Sequence, residues 1–339
     1  MKAFIIKALL YILIILILGS LIIFICIQTM PNKVIGNVNE YFMWEFQKNK
    51  INQQYSEHKN IIIGDSRALA ALNPIDIQHN FLNFSLGGST MFEGYITLKK
   101  FIAQNNLDTL IICYSPIHFN GSDEAFEKRT LSFDFISNED LKSLEQVEKK
   151  LGITIDKKLP SAYLNFVRKL HNIRFPTLYR ATFIYGLNYN ADNTPRISKQ
   201  MNETNGHCLF GLSDSSNGIS EENNFVLDKN KFLSNTIILS YLDSIYSVCS
   251  KKNIKMYFIV PPLNQSTYKK IGGSRYYHEF LELLAKIKHQ YPDINYLEDF
   301  QYLPNKYFGD HSHLNASGSR FISNYIKAKL ENTYYTNIN

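Results

Sequence analysis

Two widely separated parts of this sequence carry side chains suited to nucleophilic chemistry. Ser66 directly follows the apolar run at 61–63 and a Gly-Asp pair, and Asp310 lies three residues before His313. A serine hydroxyl is a weak nucleophile at neutral pH unless a base takes its proton, and that base needs an acceptor that fixes its tautomer. These residues therefore predict a nucleophile, its base and an orienting carboxylate, provided that folding brings them together.

The residues around Ser66 also suit a simpler role. Asp and Ser are preferred helix N-cap residues, and the stretch 67–72 is typical of a short helix ended by Asn73-Pro74. On this stretch alone the cap is the favoured interpretation, because short motifs often match by chance. A strand-to-helix turn nevertheless places Ser66 at the carboxyl edge of a sheet, where α/β folds bind ligands and helix N-terminal amides favour negative charge.

Both parts together resemble a known family. Gly64-Asp65-Ser66 after a strand, with Asp310-x-x-His313 before a final helix, resembles the SGNH (GDSL-type) hydrolase superfamily. The His313-Leu314-Asn315 context resembles its membrane-anchored bacterial branch, which includes accessory proteins of alginate, peptidoglycan and teichoic-acid acylation. The resemblance covers most of residues 58–330 except a long insert. It implies acyl-ester chemistry with Ser66 as nucleophile, His313 as base and Asp310 as orienting residue.

The resemblance also implies an oxyanion hole. Gly87-Gly88 lies between a strand predicted over 79–86 and a helix predicted over about 91–105. In the resembled family a glycine of this block donates its backbone N–H to the oxyanion, and the nucleophile's own backbone belongs to the same hole. Gly87 and Gly88 both match, so the sequence predicts a hole made by Ser66 with one of them.

A third donor is not matched. Many members of the family carry Gly-x-Asn-Asp after the third strand, whereas this chain continues from its predicted strand 109–116 as far as Asn120 without that motif. Candidates for substrate contacts are therefore Ser115, His118 and Asn120, together with Arg67 beside the nucleophile. A hole built from backbone amides alone is the alternative.

The remaining pattern predicts a three-layer α/β/α domain, flavodoxin-like, with a five-stranded parallel sheet. Strands predicted at 254–260 and 294–299 alternate with helices predicted at 236–245 and 280–289, and a last helix is predicted over 316–331. Asn315 is well placed to cap that last helix. Hydrophobic residues make up 45% and charged residues 19% of the chain, as in globular proteins.

The N-terminal stretch predicts a membrane anchor. Residues 8–30 contain no charged side chain, and a helix of this length is long enough to cross a hydrocarbon core of about 30 Å. No small-residue cleavage site follows, which favours an uncleaved anchor over a signal peptide. Lys2 and Lys7 precede the span and predict a cytoplasmic N-terminus with the rest exported. The predicted organisation is an anchor at 1–30, a juxtamembrane linker or helix at 31–57, and the SGNH-like domain at 58–335. The aromatic residues at 41–46 of the linker suit either interfacial anchoring or packing against the domain.

An insert at about 120–235 interrupts the α/β rhythm. A connection of this length has structure of its own and is often functional. Four basic side chains of the insert are weak candidates for facing the site, although such residues are more often solvated or locally paired: His171, Arg174, Arg180 and His207.

Other classes of function find little support. The net charge is +6, but the Lys and Arg residues are scattered among acidic residues and form no basic block, so nucleic-acid binding is not predicted. No Cys and His pairs fall at ligand spacing, so neither a metal site nor a cofactor is predicted. Cys208 and Cys249 could form a disulfide in an oxidising compartment, but the spacing of cysteines in a sequence does not determine whether they are bonded.

The sequence thus favours a serine-dependent O-acyltransferase or esterase outside the cytoplasmic membrane. Its expected substrate is a cell-surface glycan or lipid-linked sugar, and a membrane-bound O-acyltransferase is an expected partner of the resembled branch. The alternative is a non-catalytic partner that binds a glycan or assists such an acyltransferase. An intact Ser, Asp and His favours the enzyme, because a scaffold has no physical need for all three.

Overall fold

A five-stranded parallel sheet lies at the centre of the chain. The computed structural model describes residues 1–29, 39–57, 59–121, 126–156, 159–172, 194–297 and 300–336. The strands are β1 Lys59–Gly64, β2 Phe81–Asn83, β3 Leu107–Cys113, β4 Lys255–Ile259, β5 Leu263–Asn264, β6 Asn295–Leu297 and β7 Tyr302–Leu303. The sheet has the order β2-β1-β3-β4-β6, and β5 pairs separately with β7. This order is that of flavodoxin-like folds, whose switch point lies between the first and third strands.

Thirteen α-helices are assigned within the described residues. They are α1 Lys2–Thr29, α2 Asn39–Ile51, α3 Ser66–Ala71, α4 Pro74–Ile77, α5 Met91–Ile102, α6 Asn138–Leu151, α7 Ser161–Asn172, α8 Thr194–Glu203, α9 Glu222–Asp228, α10 Thr236–Lys251, α11 Gln265–Ile271, α12 Arg275–Gln290 and α13 Ala316–Thr336. Asn315 accepts a hydrogen bond from Gly318 N (3.0 Å) and so caps α13 as predicted.

Helices cover both faces of the sheet, which explains why its strands are continuously apolar. Successive side chains of a strand point to opposite faces, and in β1 the side chains of Ile61, Ile62 and Ile63 are fully buried. Ile61 and Ile63 belong to the larger core with α5, α10 and α12, whereas Ile62 belongs to the second core with α3, α4 and α13. The predicted three-layer α/β/α fold is confirmed.

The predicted strands other than β1 are shorter in the structure, β2 and β6 most of all. The strand expected over 79–86 is only β2; beyond it, Phe84 N and Leu86 N still donate to the β1 carbonyls of Ile62 and Gly64, while the Gln47 side chain donates to the carbonyls of Asn83 and Ser85 on the other side. The strand expected over 294–299 is β6, and residues 298 and 299 lie outside the described part.

Helix α2 packs against the domain. Gln47 on this helix covers the edge of β2, while Tyr41 and Trp44 are buried and make edge-to-face contacts with Phe133, and Trp44 also with Phe135. These two aromatics are therefore core residues and not interfacial anchors. Residues 31–38 of the predicted linker, and residue 30 of the predicted anchor, lie outside the described part.

The apolar segment of α1 is Lys2–Cys26, and its side chains are exposed over most of its length. Its length and composition suffice for a membrane span, and a signal sequence shares the same properties. The possible Cys208–Cys249 disulfide is not formed, since both are free thiols. They lie in different places, Cys208 beside Met43 and Leu69 and Cys249 in the larger core.

Candidate active site

The turn between β1 and α3 holds Asp65 and Ser66 in different positions. Asp65 is fully buried at the N-cap of α3, and its Oδ1 accepts hydrogen bonds from Arg67 N (2.8 Å) and Ala68 N (3.3 Å). Its Oδ2 accepts from Ser115 N (2.7 Å) and Ser115 Oγ (2.5 Å). The cap interpretation is thus right for Asp65, and it leaves Ser66 as the first helical residue with its hydroxyl available.

Gly64 makes this turn possible by close approach. A Cβ at this position would overlap the carbonyl of Cys113 on β3 and the side chain of Ala68 on α3. Only glycine lets β1 pass directly into α3 at this distance from β3.

The loop before α13 brings an imidazole to Ser66. His313 Nε2 lies 2.9 Å from Ser66 Oγ, and His313 Nδ1 lies 2.8 Å from Asp310 Oδ2. Asp310 Oδ1 also accepts from the backbone N–H groups of Ser312 (2.8 Å) and His313 (2.7 Å), which fixes the loop around the carboxylate. The network assigns the Nδ1 proton to the hydrogen bond with Asp310 and leaves Nε2 to accept from Ser66.

Asp310 is poised to stay ionised. Its partial burial would raise its pKa, but the hydrogen bond and the charge of His313 and the two backbone donors lower the pKa to about 2. An ionised carboxylate at Nδ1 stabilises an imidazolium when the ring takes a proton. The three side chains are therefore arranged to remove the proton from Ser66 during attack on a carbonyl carbon.

Gly87, one of the two candidate oxyanion donors, lies beside Ser66. A Cβ built on Gly87 would stand 3.9 Å from Ser66 Cβ, so this backbone passes beside the nucleophile. Gly88 has a φ of +75°, a conformation that favours glycine, and leads into α5 through the cap residue Thr90. The structure thus brings Gly87 to the nucleophile and gives Gly88 a conformational role, which favours Gly87 as the donor.

The four residues predicted to contact substrate do not share one environment. Arg67 is buried, and its guanidinium lies 2.7 Å from a carboxylate oxygen of Glu222. Ser115 is fully buried and donates to Asp65. Both are committed to internal partners, which does not favour a direct contact with substrate.

His118 and Asn120 lie in the stretch that directly follows β3. His118 Nε2 lies 3.5 Å from Asp65 Oδ2, and burial lowers the pKa of His118, so the ring is mostly neutral at neutral pH. Asn120 lies half-buried beside the Tyr276 hydroxyl. Their contact with substrate stays a prediction.

The two histidines of the loop are clearly separated. His311 points away from Ser66, with Nε2 2.7 Å from Glu221 Oε1 and its side chain 44% exposed. His313 makes the contact with Ser66. The spacing Asp-x-x-His therefore selects the imidazole that the fold brings to the serine.

Sequence reasoning missed the residues of the insert that surround this loop. The Phe210 ring lies against the His313 ring with centroids 4.5 Å apart, and Glu221 accepts hydrogen bonds from the loop. No periodicity or motif marked them, because their contacts are made to residues about 100 positions away. Of the four basic residues considered in the insert, His207 is buried against Ala70 O and His171 is buried near Asp134, both outside the triad. Arg174 and Arg180 lie outside the described residues.

Comparisons with known proteins give remote likenesses. No curated protein matches this chain. A family model without a functional description matches residues 188–335, less than half of the chain. A Streptococcus pneumoniae structure, described as a candidate platelet activating factor, is 10% identical with a TM-score of 0.41, and the match covers 90% of this chain and 98% of that one. A Bacteroides fragilis structure, described as a candidate acylhydrolase, is 8% identical with a TM-score of 0.39, over 86% of this chain and 95% of that one.

Proposed function

We propose that this protein carries out serine-dependent acyl-ester chemistry, with Ser66 as nucleophile, His313 as base and Asp310 as the residue that orients His313. One observation carries the proposal: Ser66 Oγ, the two ring nitrogens of His313 and the Asp310 carboxylate form a continuous line of hydrogen bonds of 2.9 and 2.8 Å. The resemblance of both motifs to the SGNH superfamily supports it.

The proposed reaction has two steps. Ser66 Oγ attacks the ester carbonyl as its proton passes to His313 Nε2, and Asp310 stabilises the resulting imidazolium. Backbone N–H groups of Ser66 and Gly87 stabilise the oxyanion, with Gly88 as the other candidate donor. His313 then gives its proton to the leaving alkoxide, and the acyl group remains on Ser66. A second hydroxyl, from a sugar or from water, attacks the acyl carbonyl carbon as its proton passes to His313 Nε2. The bond between the acyl carbon and Ser66 Oγ then breaks, and His313 returns the proton to Ser66 Oγ, which restores the serine hydroxyl.

We further propose transfer to a glycan hydroxyl rather than simple hydrolysis. The apolar helix α1 suits a tether at the membrane, where a tethered enzyme gains effective concentration on a polymer or lipid-linked sugar built there. The insert between β3 and β4 provides a surface for an acceptor or a membrane-bound O-acyltransferase, since loops on a rigid scaffold carry specificity. No metal or cofactor takes part in the proposed steps.

Labelling with a serine-directed fluorophosphonate tests the nucleophile. The full chain in detergent should be labelled at Ser66, and Ser66→Ala should abolish the label. Ser317→Ala is the matched control, because Ser317 is an exposed serine just after the same loop. Labelling that persists in Ser66→Ala, or no label at all, would favour the non-catalytic accessory role.

A second experiment separates transfer from hydrolysis. The full chain is given a small acyl ester with and without candidate oligosaccharides, and both acylated sugar and free acid are measured. Acylated sugar formed only when Ser66 is present supports transfer. Free acid released at a rate indifferent to every sugar, with cell-surface acylation unchanged in Ser66→Ala cells, would leave an esterase as the better answer.

The proposed location outside the cytoplasmic membrane has its own test. Because Lys2 and Lys7 precede the apolar segment, a C-terminal reporter that fluoresces only in the cytosol should stay dark. Bright fluorescence would show that the C-terminal domain lies in the cytoplasm and would contradict the proposed location.

A further inference from the structure

One stretch of the insert lies directly on the loop that carries Asp310 and His313. We call residues 210–222 the cover segment. Its Ser213 and Asp214 carbonyls each accept a hydrogen bond from Asn315 Nδ2 (3.2 Å). The backbones of Gly211 and Gly309 approach so closely that a Cβ on either would overlap the other. The cover segment therefore contacts this part of the chain in two ways: its backbone packs against the backbone of Gly309, and its carbonyls accept hydrogen bonds from the Asn315 side chain.

Glu221, near the end of the cover segment, binds the loop through both carboxylate oxygens. Its Oε1 lies 2.7 Å from His311 Nε2, and its Oε2 accepts from Ser312 Oγ at 2.8 Å. Those two residues stand between Asp310 and His313. The carboxylate thus contacts every side chain between the orienting residue and the base.

The same carboxylate also reaches the other half of the site. Glu221 Oε2 lies 3.6 Å from Arg67 Nη2, and Arg67 is the residue after Ser66. The next residue, Glu222, is buried and pairs with the same guanidinium at 2.7 Å. Partial burial would raise the pKa of Glu221, but the hydrogen bond from His311 and the charge of Arg67 help lower it to about 2, so Glu221 is ionised at neutral pH.

We propose that Glu221 is a positioning residue of the active site, which holds the Asp310–His313 loop in register with the Ser66 turn by binding His311, Ser312 and Arg67 at once. This inference rests on the proposed function. Its physical reason is distance, because misplacing a catalytic group by about 1 Å can cost about 100-fold in rate. Glu221 makes no contact with the reacting atoms and acts through its neighbours.

The test is the kinetics of ester turnover by the full chain. Glu221→Ala should lower kcat by roughly 10- to 100-fold with little change in KM, since substrate binding does not involve this side chain. Glu221→Gln keeps one carbonyl acceptor and should lose about 3- to 10-fold. The matched control is Glu279→Gln, because Glu279 also holds the insert, through Phe232 N (2.8 Å), but on α12 and away from the loop. It should stay within about twofold of the unmodified protein.

A double-mutant cycle distinguishes positioning from a general loss of structure. Ser312→Ala removes the other end of one Glu221 hydrogen bond, so the loss in Glu221→Ala plus Ser312→Ala should be much smaller than the product of the two single losses. Three results would overturn the inference. The first is a loss of kcat in the double variant equal to the product of the two single losses. The others are a kcat of Glu221→Ala within twofold of the unmodified protein, and a loss in Glu279→Gln equal to that in Glu221→Ala. If Glu221→Ala fails to fold, Glu221→Gln with Ser312→Ala gives the same cycle. Absence of any Ser66-dependent turnover in the unmodified protein would instead reject the proposed function.

Discussion

Ser66 and His313 touch at 2.9 Å although 247 residues separate them, and their surroundings differ. On the Ser66 side the support is buried and made largely with the backbone: Asp65 is fully buried, caps α3 and accepts hydrogen bonds from Ser115, two residues after β3. On the His313 side the support is partly open, since the side chains of His313 and Asp310 are 16% and 30% exposed, and it comes from the cover segment. The sheet fixes the nucleophile, whereas a neighbouring segment of the insert fixes the base.

This difference has a physical consequence. Substitutions on the sheet side should first reduce folding stability, because they leave buried polar groups without partners. Substitutions on the loop side should first reduce activity, because water can replace lost hydrogen bonds there but cannot restore the position of the imidazole.

The largest expected effect is on turnover. Ser66→Ala and His313→Ala should each lower kcat by about 1000-fold or more, and the double variant should lose no more than the worse single variant, since members of a catalytic unit do not contribute additively. His311→Ala should lose less than about tenfold, because His311 contacts Glu221 and not Ser66. Ester hydrolysis measures all four. An equal loss in His311→Ala and His313→Ala would mean that the loop side does not distinguish its two imidazoles.

The next effect should appear on the sheet side as lost stability. Asp65→Asn places an amide donor against the Ser115 donors in a fully buried position and should lower the free energy of unfolding by about 3 kcal/mol. Ser312→Ala, on the loop side, should cost about 1 kcal/mol or less. Urea unfolding of the full chain in detergent measures both. Similar losses at the two positions would remove the contrast between the two halves.

The acid stability of the loop side should depend on Asp310. Its pKa is lowered in the folded state from 3.8 to about 2, so its ionised form stabilises the fold above about pH 4. This contribution, of order 2 kcal/mol, should be lost as the pH falls from about 4 to 2. Asp310→Asn should therefore be less stable than the unmodified protein near pH 6 and approach it near pH 2. A difference in unfolding free energy that stays constant over this range would contradict the assignment.

The smallest predicted effect concerns the ring beside the base. Stacking of aromatic rings contributes about 0.5–1.5 kcal/mol, so Phe210→Leu should lower kcat by roughly 2- to 10-fold with almost unchanged unfolding. Phe210→Tyr keeps the ring and should retain activity. A large loss of stability in Phe210→Leu would show that this part of the cover segment supports the fold more than the imidazole.

The sequence by itself determined the local elements and the residue types. The apolar runs predicted the three longest strands of the sheet, β1, β3 and β4, because a strand covered on both faces is apolar on both sides. Gly64 and Asn315 marked a close turn and a helix cap. Short-range rules sufficed for these elements, because caps, turns and side-chain alternation depend on residues within a few positions. The choice of Ser66, Asp310 and His313 needed both motifs together and their resemblance to a family, because the Ser66 stretch alone suited a helix cap.

Only the tertiary structure decided which side chains meet. That Arg67 turns to Glu222, that Cys208 and Cys249 stay apart, and that Gly87 lies beside Ser66 all depend on contacts across many residues. The cover segment is the clearest case: Phe210 and Glu221 lie in an irregular stretch without periodicity, and each contacts a loop about 90–100 residues later. Such contacts depend on how the layers pack, and no local pattern in a single sequence encodes them.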